Sequence, residues 1–203
     1  MLGSGEVVHE VGQPVETMVF PIDCLVSVVS ELDGGDAVDV ATVGREGFVD
    51  LPGLLGGAVH QSRAVCRVPG AAVELSAAAA RRLLAPDDKL VPALEGYLRA
   101  TLTVLMQRVG CNRSHTAGQR CAAWLLQTQD RVGSDAFELT HETLAQMLGL
   151  RRATVSDNLA GLQRRGVLRS WRGTLTVVDR PGLRAASCGC YQAFRDAHRD
   201  TFG

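Results

Sequence analysis

Arg151 and Arg152 stand side by side where two short apolar-periodic segments meet, "HETLAQMLG" (141–149) and "LRRATVSDNLAGLQRRG" (150–166). A guanidinium presents a planar fork that grips a phosphate, or the O6 and N7 edge of guanine, with two parallel hydrogen bonds. Thr154 and Ser156 follow with hydroxyls suited to phosphate oxygens, and Asp157 supplies an acceptor for cytosine N4. Farther on, Arg172 sits in "SWRGT" (170–174). These residue types hold and read a polyanion. The competing explanation is a solvated basic turn with no partner.

The surrounding residues predict what positions them. Thr140 is a suitable N-cap for a helix through Leu148 with an inner face of Leu144, Met147 and Leu148. Gly149 can take the positive φ that ends it, and the small Ala145 lets a second helix cross closely. That second helix, about 152–165, buries Val155, Leu159 and Leu162 at steps of four and three. Its outer N-terminal face is left with Arg152, Ala153, Ser156 and Asp157. "GVLRSWRGTLTVVD" (166–179) then reads as a strand, a turn at Arg172-Gly173 and a second strand from Leu175 to Val178. Two crossed helices and a hairpin make a winged helix-turn-helix, whose second helix enters the DNA major groove N-terminus first. Arg172, at the wing tip, is placed for a phosphate.

Charge supports a polyanionic partner. The net charge is only -1, yet residues 1–100 carry 7 Lys+Arg against 14 Asp+Glu, and residues 101–203 carry 14 against 8. Between Thr140 and Arg184, eight arginines face only Glu142, Asp157 and Asp179. An acidic front joined to a basic back suggests two domains, the back one facing nucleic acid.

The front half is β-like. "VETMVF", "CLVSVVSEL", "AVDVATV", "RAVCRV" and "AAVEL" are Val-rich runs separated by turn residues, which predicts a small antiparallel sandwich or barrel. "DGGD" (33–36) reads as a hairpin turn. A short helix should start at Ser76 and end before Pro86. Residues 87–113 hold the longest helical pattern, with Leu94, Leu98, Leu102, Leu105 and Val109 in one stripe that either packs on its own domain or pairs with a copy of itself. Pro92 fits its first turn. Another helix fills 115–133 and stops at Gly133. The expected fold class is α+β. Its divisions are a β domain over 1–86, a long helix over 87–113, a winged helix-turn-helix over 114–184 and a C-terminal tail over 185–203.

Other functions find little support. No apolar run approaches the roughly 20 residues that cross a bilayer, and "MLGSGEVVHEVGQP" lacks the parts of a secretory signal. A cytoplasmic protein that does not bind membranes is expected. There is no nucleophile elbow, P-loop or H-E-x-x-H, so the chain is not expected to be an enzyme. A cupin-type metalloenzyme would need clustered ligands, and the β region has only His9 and His60, far apart. The six cysteines (24, 66, 111, 121, 188, 190) read as buried or incidental thiols. Cys188-Gly-Cys190 is not the C-x2-C of a zinc site and no neighbouring pair completes it, so no metal site is expected.

"LTHETLAQMLGLRRATVSDNLAGLQRRGVLRSWRGTLTVVDRPGL" (139–183) resembles the Crp/Fnr transcription regulators, and "VFPIDCLVSVV" and "VGREGF" resemble the β-roll of a subgroup of them. The resemblance covers nearly the whole length. It implies a cupin-like β-roll of the cyclic-nucleotide-binding type for 1–86, dimerisation for the long helix over 87–113, where the 94–109 stripe falls, and a C-terminal winged helix. It also implies a hinge around 110–116 that reorients the winged domains when a signal reaches the β-roll. A homodimer on double-stranded DNA follows, with RNA polymerase as a further partner. Arg152 falls where family members commonly place a base-reading arginine, while Arg151 is better placed for phosphate. Ala153 departs from a frequent glutamate, Asp157 from a frequent arginine, and Asn158 stands at an often apolar position. The target sequence therefore cannot be borrowed.

The family's best-known effectors fit poorly. A cyclic nucleotide needs a Gly-Glu…Arg-Ser/Thr-Ala cassette, but this chain has "GREGFVDLPGLLGGAVHQSRAVCRV", with Asp50 as the nearest carboxylate and Arg63 directly before Ala64. A one-residue slip turns a strand side chain to the other face, so a candidate ligand pocket on Asp50 and Arg63 departs from that cassette. An iron–sulfur cluster needs four nearby thiolates, and the front half has Cys24 and Cys66. Haem would have to use one of His9, His60, His115, His141 or His198. The effector is left open. The expectation is a homodimeric, sequence-specific DNA-binding regulator on a near-palindromic site; the alternative is a protein-binding winged helix without DNA affinity.

Overall fold

The computed structural model describes residues 1–31, 37–84 and 90–202 of the chain. Its front half is the expected α+β arrangement built on antiparallel strands. Those strands are β1 (Val7–His9), β2 (Thr17–Pro21), β3 (Leu25–Glu31), β4 (Ala37–Val43), β5 (Arg63–Val68) and β6 (Ala72–Ser76), with a one-turn helix α1 (Leu51–Leu54) between β4 and β5. One sheet has the order β1-β5-β3-β4, and β2 pairs with β6 in a second. β3 lies inside the larger sheet, which explains its near-continuous apolar run: Val26 is opposite Cys66 on one side and Val43 on the other. Val19, Cys24, Val26, Val43, Ala64 and Cys66 form the core between the layers. The valine-rich runs are strands as expected, whereas β1 and α1 are additions that the sequence pattern does not announce. The expected DGGD turn and the expected boundary at 86/87 lie outside the described residues.

Ser76 ends β6 and caps α2 (Ala77–Leu84), its Oγ accepting the Ala79 N–H at 3.2 Å. The long helix α3 (Leu90–Ser114) carries Pro92 in its first turn, as expected. Its inner face is Gly96, Tyr97 and Ala100, while Leu102, Met106 and Val109 stand 58%, 69% and 74% exposed. The 94–109 stripe is thus split: Leu94, Leu98 and Leu105 are half-buried, while Leu102 and Val109 are exposed. The loop after β4, "GREG" (44–47), packs closely: a Cβ on Gly44 would lie 2.6 Å from the Arg131 side chain, and one on Gly47 would lie 2.2 Å from the Tyr97 hydroxyl. Only glycine permits that approach.

Behind α3 come α4 (Ala117–Val132), β7 (Ala136–Glu138), α5 (His141–Leu148), α6 (Arg152–Arg164), β8 (Leu168–Trp171) and β9 (Thr174–Val177). α7 (Arg180–Ala186) and α8 (Cys190–Phe202) complete the chain. Thr116 and Gln119 form a capping box on α4, and Gly133 ends that helix at φ 69. β7 adds a strand to the wing hairpin, giving the order β7-β9-β8. Leu125, Leu144, Val155, Leu159, Leu175 and Leu183 fill the core that results. Within the expected C-terminal tail (185–203), residues 190–202 form α8, and Tyr191 and Phe194 are buried. Their apolar side chains, spaced three apart, hold this segment against the body of the chain rather than leaving it in solvent. No helix among the described residues is long and apolar enough to cross a membrane.

Candidate nucleic-acid interface

The helix pair is built by its caps. Thr140 Oγ1 accepts the Thr143 N–H at 3.0 Å and starts α5. Gly149, at φ 61, donates its N–H to Gln146 O at 3.2 Å, and Leu150 donates to Ala145 O at 2.9 Å, which turns the chain sharply. Arg120, from α4, donates to the carbonyl of Leu148 and so satisfies one orphan acceptor at the end of α5. Ala145 is buried, as a close helix crossing requires, and Val155, Leu159 and Leu162 are the buried face of α6.

Arg151 is the N-cap of α6, with extended backbone and no side-chain cap of its own, and Arg152 is the first helical residue. Both are exposed, as are Ala153 and Asp157. The N-terminus of α6 therefore presents open backbone N–H groups beside two guanidinium groups, a combination that attracts phosphate. Thr154 and Ser156 are half-buried. His141 Nδ1 lies 2.9 Å from Ser156 Oγ, so this hydroxyl also ties α5 to α6. Asn158, at its often apolar position, donates to Thr154 O at 2.7 Å within the helix.

Arg172 occupies the wing tip at φ 46, followed by Gly173 at φ 84, the pair of positive angles that a tight hairpin demands. Its guanidinium carbon lies 5.3 Å from the ring centre of Trp171, which is 72% exposed. Of the eight arginines in this region, Arg180 is engaged by Asp130 at 2.6 Å and by Tyr191 and Gln129. Arg151, Arg152, Arg164, Arg165, Arg169 and Arg172 are exposed and, among the described residues, make no ion pair with a carboxylate.

The β-roll candidates do not converge. Asp50, in the left-handed region at φ 69, lies 2.8 Å from His60 Nδ1, whose ring stacks on His9 at 3.6 Å. Arg63 instead faces Glu10 at 3.2 Å from the start of β5. Neither borders the apolar groove of about 480 Å³ between the roll, α2 and α3, which is lined by Phe20, Phe48, Leu75, Leu94 and Tyr97.

The expectation of incidental cysteines misses one cluster. Ligand atoms of Cys111, His115, Cys188 and Cys190 all lie within 4.8 Å of one another. Two weak local signals are available in the sequence: the spacing of four between Cys111, near the end of α3, and His115, just after it, and the Cys188-Gly-Cys190 pair. Nothing local joins the two.

A β-roll, a long helix with an uncovered apolar end and a winged helix-turn-helix define the class of protein. Residues 119–186 match the Crp-like helix-turn-helix domain family. Transcriptional regulator SdrP of Thermus thermophilus is 29% identical over 105 residues, which is 49% of this chain. The chain spans about half the length of that curated relative, 52%. Among solved structures, FixK2 from Bradyrhizobium japonicum superposes with a TM-score of 0.76 at 18% identity, over 92% of this chain and 95% of that one. TTHA1359, a Crp/Fnr-family transcriptional regulator also from Thermus thermophilus, gives 0.70 at 23% identity, over 92% and 96%. Residues 119–186 thus carry a Crp-like helix-turn-helix domain, and the chain as a whole shares the fold of these regulators.

Proposed function

We propose that the protein is a homodimeric, sequence-specific DNA-binding regulator that places α6 in the major groove. The observation that carries this reading is the open N-terminus of α6, where exposed Arg151 and Arg152 stand without acidic partners among the described residues. Arg152 reads a guanine, Arg151 and Arg172 hold phosphates, and Asp157 takes a cytosine amino group. Thr154 and Ser156 add hydroxyl contacts to phosphate at the flank. The exposed Leu102, Met106 and Val109 of α3, together with Leu94, Leu98 and Leu105 of the same helix, pair with a second copy. Two recognition helices then sit roughly 34 Å apart and meet a near-palindromic site.

Selection from random duplexes with the purified protein tests this. A palindromic winner whose affinity falls steeply with salt is expected. Failure of any sequence to enrich, together with salt-insensitive capture of a protein partner, would replace it with the protein-binding alternative.

A further inference from the structure

Cys111 stands near the end of α3, and His115 directly follows that helix at its junction with α4. Cys188 lies in the turn between α7 and α8, Cys190 opens α8 two residues on, and both are buried. Two chain segments more than seventy residues apart thus deliver three sulfurs and one imidazole to a single point. Cys111 Sγ lies 3.7 Å from Cys188 Sγ, and Cys190 Sγ lies 3.5 Å from His115 Nδ1.

Those separations match the edges of one coordination sphere. With Zn–S near 2.3 Å and Zn–N near 2.05 Å, a tetrahedron has S···S edges of about 3.8 Å and S···N edges of about 3.5 Å. We propose that Cys111, His115, Cys188 and Cys190 bind a single zinc ion as a closed Cys3His structural site. An iron–sulfur cluster fits less well, because it spreads its thiolates over separate irons. Gln107, one turn before Cys111, donates its Nε2–H to Cys190 Sγ at 3.1 Å, a support of the kind that orients and steadies a coordinating thiolate.

Position gives the site its consequence. It cross-links the junction between the long helix and the winged domain to the last two helices of the chain. Gln107, Cys111 and His115 from one side and Cys188 and Cys190 from the other make the ion a pin for α8 against α3. Metal loss frees both segments, and the helical end unpacks before the rest.

The test uses the full-length chain, reduced and stripped of metal, titrated with Co2+ and then Zn2+. The expected result is one equivalent of Co2+ per chain with the intense visible bands of tetrahedral cobalt–thiolate, bleached by one equivalent of Zn2+. The thermal midpoint should rise with stoichiometric Zn2+ and fall back with a chelator. Cys188→Ser should abolish the bands and His115→Ala should weaken and shift them, while Cys24→Ala, a thiol outside the cluster, leaves them intact. Circular dichroism of each variant separates loss of the site from loss of the fold. Octahedral cobalt spectra in the folded wild-type chain would overturn the assignment. So would bands of full strength in folded His115→Ala and Cys188→Ser. If, on exposure to dissolved oxygen, the reduced chain forms a Cys111–Cys188 disulfide even with Zn2+ present in excess, the assignment is overturned in favour of a thiol pair.

Discussion

Arg131 Nε in α4 lies 2.7 Å from Glu46 Oε1 in the loop after β4, and the two side chains are only 5% and 13% exposed. The same guanidinium donates to Thr42 Oγ1 at 2.6 Å and lies 4.5 Å from the ring centre of Phe194 in α8. One side chain therefore joins the β-roll, the first helix of the back domain and the terminal helix. Arg67 adds a smaller tie, bridging Asp39 at 2.6 Å and Gln146 of α5 at 3.2 Å.

Removing one partner of a buried pair strands the other charge. Arg131→Met should therefore cost about 3–5 kcal/mol. Urea unfolding checks this, and the double variant Arg131→Met, Glu46→Gln should recover part of the loss because no unpaired charge is left. A cost near zero for Arg131→Met would show that the pair contributes no more than a solvated one.

Acid should destabilise the β-roll through His9. Burial, then the neighbouring His60, push its pKa from 6.5 down to about 4, against a smaller opposing pull from Asp50. The folded pKa lies below the unfolded one, so the unfolded chain binds the proton more readily between those values. Stability is full above about pH 6.5 and is lost as pH falls toward about 4. Thermal midpoints measured across that window should drop, and His9→Phe should flatten the dependence.

Leu102→Glu and Met106→Glu place carboxylates on the uncovered face of α3. Sedimentation should find the wild type dimeric and the double variant monomeric, with circular dichroism unchanged. DNA affinity should fall in parallel, since one half-site replaces two.

Much of this is legible from local chemistry. Thr140, Gly149 and the spacing of Val155, Leu159 and Leu162 define the helix pair almost residue for residue, because caps and periodicity are short-range properties. The valine-rich runs mark the strands for the same reason. α8 stays hidden because its polar residues mask the three-residue spacing of Tyr191 and Phe194, and its partners lie far back in the chain. The Cys111, His115, Cys188 and Cys190 cluster is non-local too: each half carries a weak signal, and only folding joins them. Asp50 and Arg63 do not meet: Asp50, at the left-handed turn before α1, lies against His60, and Arg63, at the start of β5, faces Glu10.

In the proposed regulator Arg152 reads a base and Arg172 holds a phosphate. Anisotropy titrations of the selected duplex, its single-base variants and a salt series would be run for wild type, Arg152→Ala and Arg172→Ala. Arg152→Ala should lose roughly 1–3 kcal/mol and relax discrimination at one base pair per half-site. Arg172→Ala should weaken every sequence alike and lower the salt slope by about one per wing. If Arg152→Ala instead leaves both affinity and base preference unchanged, α6 does not read DNA through its N-terminus and the account fails.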